Sequence, residues 1–294
     1  MIWFLINSVN LGGTSIGRGS PVRIMGILNV SPESFFKGSV KLTNNDIRDA
    51  VIQMESDGAD FIDVGGMSTA PYLSTLVTRR IETERILAAV RIIQSCTNLP
   101  VSVDTCRASV AEAVLGSGVD ILNDISGLKF DGNMHNVVSK YDPSLILCAY
   151  SAGTVTGDPV QSARILLGQS VEIARECGVS SSKIALDPAI GFFRRSGRGR
   201  LFTRTASDWT DRDMRILCHL RSIRQGHCIL VSVSNKSFLG KILDRDSPEE
   251  RLHGSLAAEA IAVFNGADII RTHNIAQTKD AILVASALSR HKGL

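Results

Sequence analysis

Short apolar stretches rich in β-branched residues alternate along the chain with longer stretches in which apolar residues recur at helical spacing. The short stretches predict eight strands, at residues 23–28, 61–64, 101–104, 121–123, 145–149, 184–187, 229–232 and 269–271. The longer stretches predict helices at residues 45–57, 78–96, 108–117, 133–140, 162–177, 211–224, 248–265 and 278–289. Eight strand–helix units favour an α/β fold of the (β/α)8 TIM barrel type, although periodicity alone also allows an open doubly wound sheet.

The triplet Gly-Ala-Asp or its close variant Gly-Val-Asp precedes three of the predicted strands, beginning at Gly58, Gly118 and Gly266. Glycine at such a position suits a helix that ends and turns into a strand. The composition shows no break that would mark a second domain, so a single domain spanning residues 1–294 is expected. Before the barrel, residues 1–7 and a turn around residues 17–19 predict a short N-terminal β-hairpin.

Composition and charge narrow the class of protein. A chain with 44% hydrophobic residues and a net charge of +3 does not indicate a nucleic-acid binder. The apolar start at residues 1–9 is shorter than the roughly 20 residues that a membrane-spanning helix needs, so no membrane partner is expected. The six cysteines lack the close spacing of a zinc or redox site, and most lie in apolar stretches. We therefore expect buried free thiols and a cytoplasmic location.

Polar side chains follow or close most of the predicted strands, at Asn29, Asp63, Asp104, Asn123, Asp187, Lys236, Arg271 and His273. In a barrel, the carboxyl ends of all strands face one mouth, so these side chains would converge there although they are far apart in sequence. One aspartate after a strand is more often a helix cap or a turn residue. A whole set of such residues indicates a functional site.

The segments that carry these residues resemble the successive motifs of the dihydropteroate synthases, a family of pterin-binding barrels. They read MGILNVSPESF (25–35), DVGGMST (63–69), VDT (103–105), ND (123–124), DPAIGF (187–192), SNKSF (234–238) and RTH (271–273). Each match alone is weak, but seven in the family's order are specific. The resemblance implies a transferase of folate biosynthesis that joins 6-hydroxymethyl-7,8-dihydropterin pyrophosphate to p-aminobenzoate and releases pyrophosphate.

The same resemblance implies a set of residues that hold the pterin. Asp104, Asn123, Asp187 and Lys236 would bind it, with Phe192 beside it. A carboxylate can accept two hydrogen bonds from the pterin edge, and an amide can both donate and accept. Asp104 and Lys236 are also candidate catalytic residues.

A second implied set holds the pyrophosphate and the amine. Asn29, Thr69, Arg271 and His273 would bind the pyrophosphate, and Mg²⁺ would bind near Asn29 together with the phosphates. Arg271 would also lie on the pterin face, a task that suits a guanidinium, and it is the third candidate catalytic residue. Ser237, at the start of a predicted helix, would lie near the acidic group of the amine, although a plain helix N-cap explains it equally well.

The implied reaction begins with loss of pyrophosphate from the pterin methyl carbon, after which the arylamine attacks. Mg²⁺ and the cationic side chains would neutralise charge on the leaving group, without a covalent enzyme intermediate. The expected partners are the two small-molecule substrates and a second copy of the chain in a homodimer.

Four departures from the family pattern bear on the amine. Ala70 stands where the family usually has an arginine, and Asn235 replaces the arginine of a Ser-Arg-Lys-Ser run. Ala149, Tyr150 and Ser151 stand where the family has a Met-His-Met run. The loop after the sixth strand is long and basic (FRRSGRGR, 193–200). Such a loop is usually solvated surface, yet clustered arginines at the mouth also favour phosphate.

The departures leave alternatives open. The basic loop and the SPES segment (31–34) resemble an archaeal branch, whose amine in tetrahydromethanopterin biosynthesis is ribofuranosylaminobenzene 5'-phosphate. A pterin-dependent methyltransferase would share Asp104, Asn123 and Asp187 but has no use for Arg271 and His273 as pyrophosphate ligands. A non-catalytic pterin-binding paralogue would explain the losses at Ala70 and Asn235.

Overall fold

The computed structural model describes residues 8–31, 43–72 and 76–291, and within them it confirms the predicted barrel. The barrel strands are β3 (Arg23–Asn29), β4 (Phe61–Gly65), β5 (Val101–Asp104), β6 (Ile121–Asp124), β7 (Ser144–Cys148), β9 (Ile184–Asp187), β12 (Cys228–Val231) and β13 (Ile269–Thr272). Neighbouring strands are parallel, and β13 pairs with β3, so the sheet closes on itself. The alternative of an open doubly wound sheet is therefore excluded.

The helices around the barrel are α1 (Asn44–Asp57), α2 (Arg79–Cys96), α3 (Ala108–Leu115), α4 (Met134–Tyr141), α5 (Pro159–Glu176), α6 (Trp209–Cys218), α7 (Leu220–Ile223), α8 (Ser237–Leu243), α9 (Leu252–Phe264) and α10 (Ile275–His291). The predicted helix at 211–224 is divided into α6 and α7, because His219 leaves the helical conformation. The predicted helix at 248–265 begins as a 3-10 turn, Pro248–Arg251. α5 starts earlier than predicted, because Asp158 caps it and a proline follows.

The predicted N-terminal hairpin is present but lies at different residues. Its strands are β1 (Val9–Leu11) and β2 (Thr14–Ile16), and Gly12 and Gly13 form the turn with positive φ instead of residues 17–19. The strand predicted at residues 1–7 lies outside the described residues. Apolar hairpin side chains join one buried cluster with the lower barrel interior: Val9, Leu11, Ile16, Met25, Phe61, Ile121, Ile146 and Ile269. The hairpin therefore closes the end of the barrel opposite the mouth.

The three glycine–aspartate turns also have a structural explanation. Gly58, Gly118 and Gly266 all adopt positive φ, the conformation that glycine reaches at little cost. The aspartates two positions later accept backbone hydrogen bonds from the preceding barrel strand: Asp60 from Ile24 N, Asp120 from Val101 N and Asp268 from Ile229 N. Each turn thus ends a helix and also ties two adjacent strands together at the bottom of the barrel.

A small three-stranded sheet lies in the loops at the carboxyl end of the barrel. It consists of β8 (Thr154–Val155), β10 (Phe193–Arg194) and β11 (Thr203–Thr205), in the order β10-β11-β8. It joins the loop after β7 to the long loop after β9. The basic stretch of residues 195–202 is the excursion between β10 and β11.

The cysteines and the hydropathy of the helices can now be stated for the described residues. The six cysteines are free thiols, of which Cys106, Cys148 and Cys228 are buried and Cys218 is exposed. No helix within the described ranges combines the length and the hydropathy needed to cross a bilayer.

Candidate active site

The inward-facing side chains change from apolar to polar along four of the barrel strands, β4, β6, β9 and β13. Residues two apart in a strand face the same side, so Phe61 and Asp63 in β4 both point into the barrel. The same step leads from Ile121 to Asn123, from Ala185 to Asp187 and from Ile269 to Arg271. The lower members fill the core, and the upper members form a polar floor at the mouth.

Above this floor lies a cavity of about 720 Å³, including its open mouth. Eight of the ten predicted site residues line it: Asn29, Thr69, Asp104, Phe192, Lys236, Ser237, Arg271 and His273. The other two, Asn123 and Asp187, are buried among the floor residues. The structure therefore brings the whole predicted set together from strands and loops that are far apart in sequence.

Arg271 is the centre of a hydrogen-bonded network on the floor. Its Nε donates to Asp63 Oδ2 at 2.6 Å, and its Nη2 donates to Asp104 Oδ2 at 3.2 Å. Asn123 Nδ2 also donates to Asp63, at 3.3 and 3.4 Å to the two carboxylate oxygens. Burial works to lower the pKa of Arg271, but the two carboxylates raise it above the ordinary value, so the guanidinium stays charged.

Two carboxylates on the floor keep hydrogen-bonding capacity for a ligand. Asp104 Oδ1 is buried and has no hydrogen-bond partner among the described residues. Asp187 accepts one bond on Oδ1, from the backbone N of Ala189 at 2.7 Å. Burial raises the pKa of both carboxyls, opposed at Asp104 by Arg271. A buried acceptor without a donor is costly, so a ligand that brings N–H groups would be favoured here.

Lys236 forms one wall of the cavity. Its Nζ lies 4.1 Å from the centre of the Phe192 ring. Burial, followed by the nearby Arg271, lowers the pKa of Lys236 to about 8, whereas Asp187 acts to raise it. Gly191 allows this approach, since its φ is +88° and an added Cβ would lie 2.8 Å from Lys236 Cδ. The lysine is therefore held against an aromatic ring between a cation and a carboxylate.

His273 is a neutral hydrogen-bonding group and not a cation. Burial is the main cause that lowers its pKa to about 3, and the charges of Arg271 and Lys236 add to the effect. Its Nδ1 lies 3.0 Å from Ser234 Oγ. This partner determines the orientation of the imidazole at the edge of the cavity.

Sequence reasoning missed several cavity residues. Asp63 was recognised only as a polar strand end, although its position two residues after the inward-facing Phe61 would have placed it on the floor. The sequence analysis gives Ser234 and Tyr72 no role in the site, yet both line the cavity, and of the four arginines at positions 194–200 of the basic loop expected at the mouth only Arg194 lines it. Loop residues such as Tyr72 carry no periodic signal, so their positions depend on tertiary structure.

Ala70 and Asn235, which depart from the family pattern, are both buried beside the cavity. Ala70 is buried and lines the cavity with its methyl group. Asn235 adopts a positive φ of 59°, a conformation that asparagine tolerates better than most residues. Its backbone N donates to Ser255 Oγ at 2.9 Å. Of the SPES segment, only Ser31 lies within the described residues.

The closed barrel and its polar mouth define a TIM-barrel enzyme whose cavity combines buried carboxylates with the cations Arg194, Lys236 and Arg271. Comparison with known proteins identifies the kind of enzyme. The family model described as pterin binding enzyme matches residues 25–273.

Two curated relatives and one solved structure are similar over nearly the whole chain. The dihydropteroate synthase of Synechocystis is 34% identical over 291 residues, covering 95% of this chain and 94% of the relative. That of Clostridium beijerinckii is 31% identical and covers 96% and 100%. The structure of dihydropteroate synthase from Clostridium difficile in the presence of pteroic acid has a TM-score of 0.79 and 33% identity, covering 92% and 97%. The chain belongs to the pterin-binding enzymes and, among them, to the dihydropteroate synthases.

Proposed function

We propose that this chain condenses 6-hydroxymethyl-7,8-dihydropterin pyrophosphate with p-aminobenzoate and releases pyrophosphate, as a single-domain cytoplasmic enzyme of folate biosynthesis. One observation carries the proposal. The cavity floor offers buried carboxylate oxygens, including Oδ1 of Asp104, which has no partner within the described residues, and the cations Lys236 and Arg271 line the same cavity. A pterin supplies N–H donors to the carboxylates, and its pyrophosphate supplies negative charge to the cations.

The pterin is proposed to lie on the floor of the cavity. Asp187 and Asp104 accept hydrogen bonds from its ring N–H groups and its amine, and Asn123 both donates and accepts. Lys236 donates to a ring acceptor, and Phe192 packs beside the ring. The buried network around Arg271 supports this arrangement, because two carboxylates fix the position of the guanidinium before any ligand binds.

The pyrophosphate is proposed to lie between Asn29, Thr69, Arg271 and His273, all of which line the same cavity. Arg271 supplies positive charge, whereas His273, which is neutral in the protein, supplies a hydrogen bond. As the bond between the pterin and the pyrophosphate breaks, negative charge develops on the leaving oxygen. The Arg271 guanidinium stabilises this charge more strongly as it grows.

Mg²⁺ fits this site as a partner of the phosphates. Asn29 ends β3 and contributes an amide oxygen to the cavity, and the polar groups around it suit a hard cation that prefers oxygen. Within the described residues, no cluster of three histidine, cysteine or acidic side chains forms a metal cage. When bound, Mg²⁺ would neutralise charge on the pyrophosphate oxygens.

The chemical step needs no covalent bond to the protein. The bond between the pterin methylene carbon and the pyrophosphate oxygen breaks, and its electron pair leaves with the pyrophosphate. The amine nitrogen then forms the new C–N bond with its lone pair and gives up one proton to water. The proposed roles of Arg271, Lys236 and Asp104 are to hold the pterin and to stabilise the separated charges.

The structure favours p-aminobenzoate over a phosphorylated ribosyl amine. Arg195, Arg198 and Arg200 are exposed and do not line the cavity, which argues against a phosphate site formed by the whole basic loop. The relatives named above are bacterial and do not support the predicted archaeal branch. A methyltransferase function is disfavoured, because Asn29, Arg271 and His273 share one cavity.

We also propose a homodimer. Ile261 in α9 and Leu283, Val284 and Leu288 in α10 are exposed apolar side chains on two helices that pack together. Several exposed large apolar side chains on two neighbouring helices are typical of a subunit interface. Light scattering after size-exclusion chromatography tests the proposal, and a Val284→Glu variant should shift the mass toward the monomer.

A direct assay tests the proposed function. The purified protein is incubated with dihydropterin pyrophosphate, Mg²⁺ and one amine at a time, and pyrophosphate release is measured. We expect release with p-aminobenzoate and much slower release with ribofuranosylaminobenzene 5'-phosphate. A faster reaction with the phosphorylated amine would reverse the assignment of the amine, and absence of release with either would overturn the synthase function.

A further inference from the structure

The basic loop after β9 contains two kinds of arginine. Arg194 is 8% exposed and lines the cavity together with Lys236 and Arg271. Arg195, Arg198 and Arg200 are exposed and are not part of the cavity wall. The sequence presents the four arginines as one basic patch, but of the four only Arg194 lines the cavity.

Arg194 is held rigidly in the wall. Its guanidinium carbon lies 3.9 Å from the centre of the Trp209 ring, and its Nη1 donates to the carbonyl oxygen of Phe193 at 2.7 Å. Its hydrogen bonding to the described residues is limited to this one nitrogen. A guanidinium that is already stacked and oriented loses little conformational entropy when it binds an anion.

The charge of Arg194 is only partly balanced. The nearest carboxylate among the described residues is Asp213, whose Oδ2 lies 3.9 Å from Arg194 Nη1. Asp213 already accepts hydrogen bonds from other donors: Arg212 Nη1 donates to its Oδ1 at 3.0 Å, and Gly191 N donates to its Oδ2 at 3.0 Å. One buried carboxylate therefore serves two buried guanidiniums, and the guanidinium that faces the cavity retains positive charge.

Arg194 belongs to the outer part of the cavity. The loop that carries it folds across the mouth onto the loop after β4, where Arg198 N and Gly199 N both donate to the carbonyl oxygen of Pro71, at 2.9 and 3.0 Å. The neighbouring wall residues Ala70, Pro71 and Tyr72 carry no positive charge. In the described part of the chain, Arg194 is thus a lining cation carried by the loop after β9, whereas Arg271 lies on barrel strand β13.

We propose that Arg194 is a specificity-determining residue of this reaction, because its guanidinium binds the acidic group of the arylamine. This inference rests on the proposed function, in which the floor holds the pterin and the amine enters from the mouth. A guanidinium presents a planar pair of donors that matches a carboxylate. Asp213 balances only part of the positive charge of Arg194, so the guanidinium can still bind a carboxylate, which carries one negative charge. A phosphate, which carries two, is disfavoured because Arg195, Arg198 and Arg200 are absent from the cavity wall.

The test compares two amines of the same shape and different charge, p-aminobenzoate and the neutral 4-aminobenzamide. Variants are Arg194→Gln, Arg194→Lys and a control in which Arg195, Arg198 and Arg200 are all changed to Gln. KM and kcat for each amine are measured by pyrophosphate release at saturating pterin pyrophosphate.

Arg194→Gln should raise KM for p-aminobenzoate by roughly 10- to 100-fold, because a charge-assisted hydrogen bond is lost. It should change KM for 4-aminobenzamide and for the pterin pyrophosphate by less than about 2-fold. Arg194→Lys, which keeps the charge without the planar fork, should give an intermediate KM. The triple control should match the parent with both amines.

Calorimetric binding of pteroate provides the same comparison without turnover. Arg194→Gln should weaken the binding of pteroate, which bears the carboxylate, and leave the binding of 6-hydroxymethylpterin unchanged. Equal losses for the charged and neutral amines, or a KM increase confined to the triple control, would overturn the role of Arg194. A parent protein that binds pteroate in this Arg194-dependent way but releases no pyrophosphate would instead overturn the proposed function alone.

Discussion

Nε of Arg271 lies 2.6 Å from Oδ2 of Asp63, a carboxylate that is completely buried. The two residues come from β13 and β4, with β3 between them, so the contact passes over one intervening strand on the inner side of the barrel. Asp63 also accepts from the Asn123 amide, and Arg271 also reaches Asp104. Asp63 is therefore a positioning residue that aligns a cation, an amide and a second carboxylate at the floor of the cavity.

Asp63→Asn should misalign Arg271 while preserving the shape of the side chain. Because a hydrogen bond between charged groups is worth about 1.5–3 kcal/mol, we expect kcat/KM for the pterin pyrophosphate to fall by roughly 10- to 100-fold. Steady-state kinetics provide the measurement. Glu112→Gln, which removes an exposed pair with Lys140, is the matched control and should leave the kinetics unchanged. Unaltered kinetics in Asp63→Asn would argue against the positioning role.

Asp187→Ala should abolish measurable pterin binding, because the ring donors then lack a charged acceptor, and Asp187→Asn should weaken binding less. Each lost bond of this kind is worth about 1.5–3 kcal/mol. Titration calorimetry with 6-hydroxymethylpterin measures the effect, and thermal unfolding confirms that both variants fold. Parent-like affinity in the alanine variant would remove Asp187 from the pterin site.

Arg271→Ala and His273→Ala should separate the two halves of the first substrate. The pyrophosphate ester should lose much more affinity than the bare hydroxymethyl pterin, because only the ester brings phosphate oxygens to these side chains. Arg271→Ala should have the larger effect, since His273 is neutral and contributes a hydrogen bond without charge. If both ligands weaken equally, the two residues shape the barrel and do not bind phosphate.

The ionisation of Lys236 should appear in the pH profile. Its pKa in the folded protein is lowered to about 8, so the ammonium is present below pH 8 and is lost above it. We expect kcat/KM for the pterin pyrophosphate to decline above about pH 8, since this ratio reports the free enzyme. The folded pKa lies below the unfolded value, so the contribution of Lys236 to stability should rise as the pH increases from about 8 towards 10.5. In Lys236→Arg, the alkaline decline should disappear, and its persistence would assign the decline to another group.

Much of the fold was predictable, because it depends on local patterns that repeat. The sequence predicts the eight apolar strands and their helices to within a few residues. It also predicts the glycine–aspartate turns, whose aspartates accept hydrogen bonds from the preceding strand. The errors lie where local conformation depends on neighbours. The break at His219 is one example, and the hairpin turn at Gly12 and Gly13 is another.

The candidate site divides in the same way. Residues at strand ends, such as Asp104, Asn123 and Arg271, could be placed because the period of a strand and the closure of a barrel bring them to one mouth. Tyr72, Arg194 and Ser234 lie outside the barrel strands, in segments at the mouth where no repeating pattern relates sequence position to the direction of the side chain. Their exposure and partners follow from packing across the mouth.

By itself, the sequence determined the succession of strands and helices, the polar residues that close each strand and the family motifs that they form. Only the tertiary structure decided which arginine of the basic loop is buried, which carboxylate orients Arg271 and which imidazole is neutral. The physical reason is that periodicity is a property of neighbouring residues in the chain. Burial, charge balance and pKa depend on residues brought together from distant parts of the chain, such as Arg194 with Trp209 and Asp63 with Arg271.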